Sequence, residues 1–332
     1  MRNSRIAGVG HYVPERVVTN KDLEKLMDTT DEWIRERTGI VERRYFVEGT
    51  DTTANMGARA AEKALEMANL QAEDLDMIVF ATLSPDYVFP GSGVLLQREL
   101  GIKEIPALDV RNQCSGFIYA LSVADQFIKT GMYNNVLVVG SEIHSSGLDF
   151  STRGRGVSVI FGDGAGAVVL TPSQSSESGI LSTHLHADGE FAEELAVLDP
   201  GSNKQERLTH EMIDEGTIFP HMNGNMVFKH AVTRFPEVIE EALHKNGYKP
   251  ADIDMLIPHQ ANLRITSYIQ QKMGLPVDKV MSNIHKYGNT TAASVPIALS
   301  EAMEEGRIKE GDLVCLAAFG SGFTWASALI RW

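Results

Sequence analysis

The feature that most constrains the fold of this chain is a repeat at a constant spacing of 178 residues. Four short segments recur in register: residues 62–65 at 240–243, 74–78 at 252–256, 120–122 at 298–300 and 136–138 at 314–316. The periodicity of the apolar residues predicts the same order of elements in both copies: helix, strand, helix start and strand. One short match would be coincidence, but four in one register indicate a duplicated structural unit.

The order of the predicted elements indicates an α/β protein. In the first copy the apolar patterns predict helices over 53–69, 92–100 and 114–130, and strands over 76–83, 106–113 and 135–141. Helices and strands that alternate at this pace are typical of βαβ units. We therefore predict two βαβ halves related by a pseudo-twofold axis, residues 1–172 and 173–332, joined at a polar break over 172–179.

Composition and charge exclude several classes of protein. The chain has 332 residues, of which 43% are hydrophobic and 22% charged, and its formal net charge is −14. A negative charge argues against a general nucleic-acid binder, because phosphate backbones select positive surfaces. No apolar run reaches the roughly 18 residues of a membrane span, and the N-terminus lacks a signal-peptide pattern, so we expect a cytoplasmic protein. With two cysteines, one of them in a predicted core strand at Cys315, no disulfide is expected.

Cys114 lies at a predicted strand-to-helix turn, which is a favourable place for a nucleophile. The unpaired amides and the partial positive charge of a helix N-terminus stabilise a thiolate. The alternative is a small buried apolar residue, which is the usual role of a free cysteine. The pattern of this one residue leaves both interpretations open.

The repeat places further polar residues near Cys114. Its equivalent position, Ala292, follows Asn289 at the start of the corresponding helix, and the strand equivalent to 76–83 ends near His259. We expect Cys114, His259 and Asn289 to emerge on one face of the molecule. Taken alone, His259 could be a satisfied polar group and Asn289 a helix cap.

Five motifs carry a resemblance to a known family along nearly the whole chain. They are Asp31-Glu-Trp-Ile34 with Arg37-Thr-Gly-Ile40, Gln113-Cys-Ser-Gly-Phe117, Phe161-Gly-Asp-Gly-Ala-Gly-Ala167, His259-Gln-Ala-Asn-Leu-Arg264 and Gly288-Asn-Thr-Thr-Ala-Ala-Ser-Val-Pro296. The sequence resembles the β-ketoacyl-acyl carrier protein synthases III, thiolase-fold enzymes that begin fatty-acid synthesis. The resemblance implies a thiolase-like α/β fold whose two halves form a layered α-β-α-β-α core.

The resemblance also implies an acyltransferase that condenses an acyl-coenzyme A primer with malonyl-acyl carrier protein, without a metal or other cofactor. Cys114 would carry the acyl group, and the backbone amides of Cys114 and Ser321 would form the oxyanion hole. His259 and Asn289 would stabilise the enolate that decarboxylation leaves. Thus the first half would supply the nucleophile, and the second half the histidine and the asparagine.

Binding residues follow from the same resemblance. Trp33 and Arg37 would bind coenzyme A together with Arg153 or Arg155, a choice that the sequence leaves open. Lys229 and Arg264 would receive the acidic carrier protein. Phe89 would reach the acyl pocket of a partner subunit in a homodimer.

Two glycine-rich segments call for separate interpretation. Gly91 and Gly93 follow Phe89, and we hypothesise that they widen the acyl pocket for a primer longer than acetyl. The glycines of 161–167 lack the spacing of a nucleotide-binding loop, so we interpret them as close backbone packing near the site.

Competing functions are distinguished by particular residues. A thiolase would need a second cysteine in a C-terminal turn, where this chain has Gly320-Ser-Gly322. A non-catalytic thiolase-fold subunit would be expected to lack Cys114, His259 or Asn289, and a cysteine hydrolase would need a carboxylate to orient its histidine. A relative that joins acyl groups in secondary metabolism would have the same catalytic residues, so only its substrates would differ.

Overall fold

The computed structural model describes residues 2–175 and 177–332, so that one residue of the predicted break, Ser176, lies outside the described part. Up to residue 172 the elements are β1 (Ser4–Tyr12), β2 (Arg16–Thr19), α1 (Asn20–Leu23), α2 (Asp31–Thr38), β3 (Glu42–Tyr45), α3 (Thr53–Ala68), β4 (Met77–Ala81), α4 (Ser92–Glu99), β5 (Ala107–Val110), α5 (Gly116–Lys129), β6 (Val136–Glu142), α6 (Arg155–Ser158) and β7 (Gly164–Pro172). They are followed by β8 (Gly179–Ala187), β9 (Leu195–Ala196), α7 (His210–Glu215), β10 (His221–Met222), α8 (Gly224–Lys245), β11 (Met255–Pro258), α9 (Leu263–Met273), α10 (Ile284–Tyr287), α11 (Ser294–Glu304), β12 (Leu313–Gly320) and β13 (Thr324–Arg331).

Two sheets with matching topology form the core. The first has the strand order β1-β7-β6-β4-β5, and the second has the order β8-β13-β12-β11. In each sheet the first three strands are antiparallel, and the next neighbour, β4 or β11, runs parallel to its partner. The duplication predicted from the sequence is therefore present in the fold.

Alternating side chains of the strands divide the core into layers. In β4, Met77 and Val79 face the central cluster that contains α5 and α11, whereas Ile78 and Phe80 face α3 on the outside. In the second sheet, one face joins the same central cluster and the other face packs on α8 and α9. Since successive side chains of a strand point to opposite faces, each sheet is covered on both sides. The result is the predicted α-β-α-β-α arrangement.

Local sequence accounts for how α3 is held on the first sheet. Thr52 and Asn55 form a reciprocal capping box at its start, and Asn69 ends it in the left-handed conformation, with φ at 55°. The alanine-rich face of α3 lies so close to β1 that a Cβ on Gly8 would lie 2.0 Å from the carbonyl oxygen of Ala64. A glycine in β1 thus fixes the distance between the helix and the sheet.

The boundaries near Cys114 differ from the sequence prediction. The predicted strand over 106–113 ends at Val110, and the helix predicted from residue 114 begins at Gly116. Cys114 therefore lies in the turn that precedes α5, where the Gly116 amide donates to the carbonyl of Gln113. No helix in the described ranges is both long and apolar enough to cross a membrane.

Candidate active site

Cys114 lies where the two halves meet. It is only 6% exposed, and the last residue of β12, Gly320, packs directly against it. A Cβ placed on Gly320 would lie 2.7 Å from the Cβ of Cys114 and 3.1 Å from its Sγ, so the approach requires glycine. The backbone amides of Cys114 and Ser321 both face the thiol. These are the two amides that the resemblance assigns to an oxyanion hole.

The environment of the thiol differs from the one expected at a helix start. Burial and, to a smaller extent, the negative charge of Glu142 together raise the pKa of Cys114 to about 12, although the two amides oppose the shift. Desolvation disfavours a charged thiolate more strongly than the nearby amides favour it. The expectation that the site stabilises a free thiolate is therefore wrong for the unliganded protein, in which Cys114 is a neutral thiol.

His259 follows β11 and is 1% exposed. Its Nδ1 lies 2.5 Å from the hydroxyl of Ser294, the first residue of α11. Its Nε2 is buried and finds no hydrogen-bond partner anywhere in the described part of the chain. Burial lowers the pKa of His259 to about 3, so the ring is neutral at physiological pH.

The backbone N–H and C=O groups of Asn289 are both hydrogen-bonded to the backbone of residues 160–162. Its amide donates to the carbonyl of Ile160, and its carbonyl accepts from Gly162. The side-chain Oδ1 accepts from the amide of Thr291 at 2.8 Å. Because this bond fixes the oxygen of the carboxamide, the Nδ2 group remains as the hydrogen-bond donor.

Three cavities that share lining residues surround these side chains. The central cavity, about 310 Å³, is lined by Cys114, His259 and Asn289 among others. It shares Cys114 and Phe161 with a large cavity of about 890 Å³. It shares Arg37 with a third cavity of about 670 Å³, which is lined by Trp33 and is called the Trp33 cavity below. The structure thus brings the three predicted catalytic residues together, with Cys114 at the junction with the large cavity.

The lining of the large cavity is predominantly apolar. Its apolar lining comes from Leu83, Leu95, Ile143, Leu148, Phe161, Leu195 and Ile218. The glycines that follow Phe89 pack closely within their own subunit, while their predicted effect on the acyl pocket concerns the partner subunit. A Cβ on Gly91 or Gly93 would lie 2.3 or 2.9 Å from the carboxylate of Asp109. These glycines let the start of α4 approach Asp109, which accepts from the Gly93 amide.

The two arginines between which the sequence leaves the choice open, Arg153 and Arg155, have different surroundings. The guanidinium of Arg155 lies 5.0 Å from the Trp33 ring centroid, and that of Arg37 lies 4.7 Å away. Arg153, and not Arg155, is among the residues that line the Trp33 cavity, where it pairs with Asp149 at 2.6 Å and lies over Phe219. Arg155 and Arg37 thus lie over the Trp33 ring, whereas Arg153 and Arg37 line the cavity beside it.

The remaining predicted residues lie on the surface. Lys229 on α8 and Arg264 on α9 are both exposed, and the Arg264 guanidinium lies 5.5 Å from the ring of Phe228, so the two helices present neighbouring cations. Phe89 is 82% exposed and Val88 is 73% exposed. Phe89 is not among the side chains around the cavities of its own subunit.

Other sequence features have structural explanations. In the segment 161–167, a Cβ on Gly162 would lie 2.2 Å from the carbonyl oxygen of Tyr287, and one on Gly166 would lie 2.7 Å from Pro296. The interpretation of these glycines as close packing is confirmed. Cys315 is fully buried in β12, within the cluster that faces α8 and α9, so it cannot act beside Cys114.

Glu142 is a buried carboxylate near Cys114 that the sequence analysis did not identify. It ends β6 and accepts hydrogen bonds from Thr82, from Ser84 and from the amide of Ala292. Burial raises the pKa of Glu142 to about 7. The sequence did contain a signal for this residue, because a glutamate at the end of an apolar strand is expected to be buried, and a buried carboxylate must be paired or protonated.

Comparison with known proteins agrees with this geometry. Residues 108–189 match the family model described as 3-oxoacyl-[acyl-carrier-protein] synthase III, and residues 243–332 match the model of its C-terminal part. The chain is 46% identical over 331 residues to the β-ketoacyl-[acyl-carrier-protein] synthase III of Methylococcus capsulatus, covering 100% of this chain and 99% of the relative.

Solved structures extend the agreement to three dimensions. The 3-oxoacyl-[acyl-carrier-protein] synthase III of Aquifex aeolicus superposes with a TM-score of 0.91 at 46% identity, over 99% of this chain and 100% of that one. The priming β-ketosynthase of the R1128 polyketide pathway has a TM-score of 0.89 at 33% identity, over 99% and 96% of the two chains. By full-length identity and by fold, the chain belongs to the β-ketoacyl-acyl carrier protein synthase III family.

Proposed function

We propose that this chain condenses an acyl-coenzyme A primer with malonyl-acyl carrier protein, with Cys114 as the acyl carrier. The observation that carries the proposal is that Cys114, His259 and Asn289 all line the central cavity. The two larger cavities then have separate tasks. The Trp33 cavity receives the carrier arm of the thioester, and the large cavity receives the acyl chain.

The first half-reaction transfers the acyl group. The Cys114 sulfur attacks the thioester carbonyl, the carbon–sulfur bond to coenzyme A breaks, and coenzyme A leaves as its thiol with the proton of Cys114. The backbone amides of Cys114 and Ser321 stabilise the oxyanion of the tetrahedral intermediate. Because the free thiol is neutral, its ionisation has to accompany attack.

The second half-reaction forms the carbon–carbon bond. Loss of carbon dioxide from the malonyl group leaves an electron pair shared with the thioester oxygen. A neutral His259 and Asn289 can both donate hydrogen bonds to that oxygen. The carbanion then attacks the acyl carbonyl on Cys114, and the thiolate departs. Decarboxylation supplies the carbanion and the protein supplies hydrogen bonds, so the reaction requires no metal or redox cofactor.

The alternatives fit the site less well. The nearest partner of His259 Nδ1 is a hydroxyl, whereas a cysteine hydrolase would use a carboxylate there. A non-catalytic subunit would not be expected to keep all three residues around one cavity. A condensing enzyme of secondary metabolism would keep them, and the choice of primer distinguishes that enzyme from one that serves fatty-acid synthesis in the cytoplasm.

The decisive experiment is intact mass spectrometry after incubation with acyl-coenzyme A. The wild-type chain should gain one acyl group, and Cys114→Ala should gain none. His259→Ala should still be acylated but should lose about 10²-fold or more in release of carbon dioxide from malonyl-acyl carrier protein. A wild-type chain without an adduct from any acyl donor would exclude the mechanism, and normal condensation by His259→Ala would exclude the role of His259.

Lys229 and Arg264 support a docking site for the carrier protein at the mouth of the central cavity, which Arg264 lines. Local cations are needed because the chain itself carries a net charge of −14. Lys229→Glu or Arg264→Glu should raise KM for malonyl-acyl carrier protein about tenfold, without changing acylation by acyl-coenzyme A. Lys245→Glu, at the far end of α8, is the control and should leave both values unchanged. An equal effect of all three substitutions would argue against a local docking site.

A further inference from the structure

The two ring nitrogens of His259 have different surroundings, and this difference bears on the chemistry. Nδ1 lies 2.5 Å from the Ser294 hydroxyl, whereas Nε2 is buried and unpartnered among the residues that the structure describes. A neutral imidazole has one nitrogen that donates and one that accepts. To donate to a substrate oxygen from Nε2, the ring must carry its proton there and must accept at Nδ1. The ring alone does not determine this choice.

The hydrogen bonds of Ser294 determine which nitrogen of His259 carries the proton. The Ser294 oxygen also accepts from the backbone amide of Gln260 at 3.2 Å, and an amide can only donate. In residues 2–175 and 177–332, the hydroxyl has these two partners and no third. Ser294 is 2% exposed, so water does not replace a missing partner. The hydroxyl hydrogen is satisfied only if it is donated to Nδ1, which leaves the ring proton on Nε2.

The side chain of Gln260 keeps this amide in place. It is 1% exposed, and its Nε2 donates to the carbonyl of Pro258 at 2.7 Å. Its Oε1 accepts from the amide of Asn283 at 3.1 Å. The backbone amide that donates to Ser294 therefore belongs to a residue held by the end of β11 and by the loop before α10. The direction of the hydrogen bonds toward His259 is fixed by rigid surroundings.

The first half of the chain provides an internal comparison. At the repeat spacing, His259 corresponds to Ala81 and Ser294 corresponds to Gly116. A Cβ on Gly116 would lie 3.5 Å from the Cβ of Ala81, so the same two positions are also adjacent in the first half. The fold brings a strand end and a helix start together in both halves. Only the second half has a hydrogen-bonding pair there.

We propose that Ser294 is a positioning residue that holds the neutral His259 ring in its Nε2–H tautomer, so that His259 donates to the oxygen that becomes negative on decarboxylation. This inference rests on the proposed function, because the tautomer matters only if His259 stabilises that oxygen. Acylation of Cys114 does not use the His259 proton. Ser294 should therefore affect the second half-reaction and not the first.

The test combines a spectroscopic measurement with two rates. In protein labelled with ¹⁵N at the histidine rings, long-range ¹H–¹⁵N spectra should show His259 as the Nε2–H tautomer, assigned by its absence in His259→Gln. Ser294→Ala should convert part or all of it to the Nδ1–H tautomer. The same variant should release carbon dioxide from malonyl-acyl carrier protein about 10²-fold more slowly, while acylation of Cys114 is unchanged. Ser294→Thr, which keeps the hydroxyl, should restore both the tautomer and most of the rate.

Ser300→Ala is a matched control on the same helix. Ser300 is 1% exposed and pairs with Nδ1 of His11 at 2.9 Å, so this variant also removes a buried serine–histidine contact. It should change neither half-reaction. An unchanged His259 tautomer in Ser294→Ala, or an equal loss of acylation and decarboxylation, would overturn the inference while leaving the proposed function intact. A wild-type chain that releases no carbon dioxide from malonyl-acyl carrier protein would overturn the proposed function and, with it, the inference.

Discussion

At the scale of single residues, burial decides the chemistry of Cys114 more than its place in the sequence does. The turn before α5 offers amides to the sulfur, but the thiol is enclosed by both halves and lies near Glu142. Its pKa therefore rises to about 12 instead of falling. The unliganded enzyme keeps a protonated nucleophile, which is poorly reactive until a thioester and the two amides can share the developing charge.

The pH dependence of alkylation checks this conclusion. Below its pKa the thiolate fraction of a thiol increases tenfold per pH unit, so the rate of modification of Cys114 by iodoacetamide should rise about tenfold per unit from about pH 7 to about pH 10, without a plateau. Intact mass gives the rate, and Cys114→Ala should remain unmodified because Cys315 is buried. A plateau near neutral pH would show that the free thiol ionises readily, contrary to this prediction.

The identities of the candidate residues could be predicted from the sequence, but their environments could not. Cys114, His259 and Asn289 stand in recognisable motifs, and the structure places them around one cavity. Desolvation depends on residues distant in sequence, such as Gly320 and Glu142, which no local pattern connects to Cys114. Arg153 and Arg155 illustrate the same limit, because motif spacing favoured neither, and only the structure shows that Arg155 lies over the Trp33 ring whereas Arg153 lines the cavity.

At the scale of elements, the contact between the end of β12 and the turn before α5 sets the position of the sulfur. Gly320→Ala should move Cys114, because the new Cβ would lie 2.7 Å from the Cβ of the cysteine. A displacement of this kind should slow acylation on the order of 10²-fold. The measurement is the rate of adduct formation with acyl-coenzyme A, followed by intact mass.

Gly189→Ala is the control for this substitution, since a Cβ there meets nothing within 4 Å. It should be acylated at the wild-type rate. Normal acylation of a folded Gly320→Ala protein would mean that the turn before α5 can shift without affecting the reaction, and the close approach would then have no functional role.

Helices and strands were predicted well where their apolar period was long. The pattern over 53–69 corresponds to α3. The repeat spacing correctly predicted that β4 and β11 are equivalent elements of the two halves, as are α5 and α11. Boundaries at the site were less accurate, because Cys114 lies two residues before the first residue of α5. The Gly116 amide bonds to the carbonyl of Gln113, so residues 113–116 form a turn before the helix begins.

At the scale of the whole molecule, the exposed segment around Phe89 supports a homodimer. Tyr87, Val88 and Phe89 are 55%, 73% and 82% exposed, which is unusual for three consecutive apolar side chains. We propose that a second copy covers them and that Phe89 enters its large cavity. The protein should then have twice the mass of the 36.4 kDa chain in solution, as measured by light scattering.

The same arrangement predicts which primers the enzyme accepts. A cavity of about 890 Å³ is much larger than an acetyl group requires, so acyl groups longer than acetyl should load Cys114. Phe89→Ala should increase the preference for octanoyl-coenzyme A over acetyl-coenzyme A about tenfold, because the aromatic ring no longer fills part of the partner's cavity. Strict acetyl preference in both proteins would show that Phe89 does not limit chain length.

The correspondence between the halves has a consequence for how such a site can arise. Cys114 corresponds to Ala292 and His259 to Ala81, so the nucleophile and the histidine each have an alanine at the symmetry-related position. In a symmetric dimer of two identical chains, each chain would have to carry both the cysteine and the histidine. Two thiols and two imidazoles would then lie on opposite sides of the symmetry axis. Only after fusion into one chain can the copies differ. The fusion of two equivalent units into one chain thus allows one half to carry the nucleophile and the other half to carry the hydrogen-bond donor. The substrate can then enter the site in one direction only.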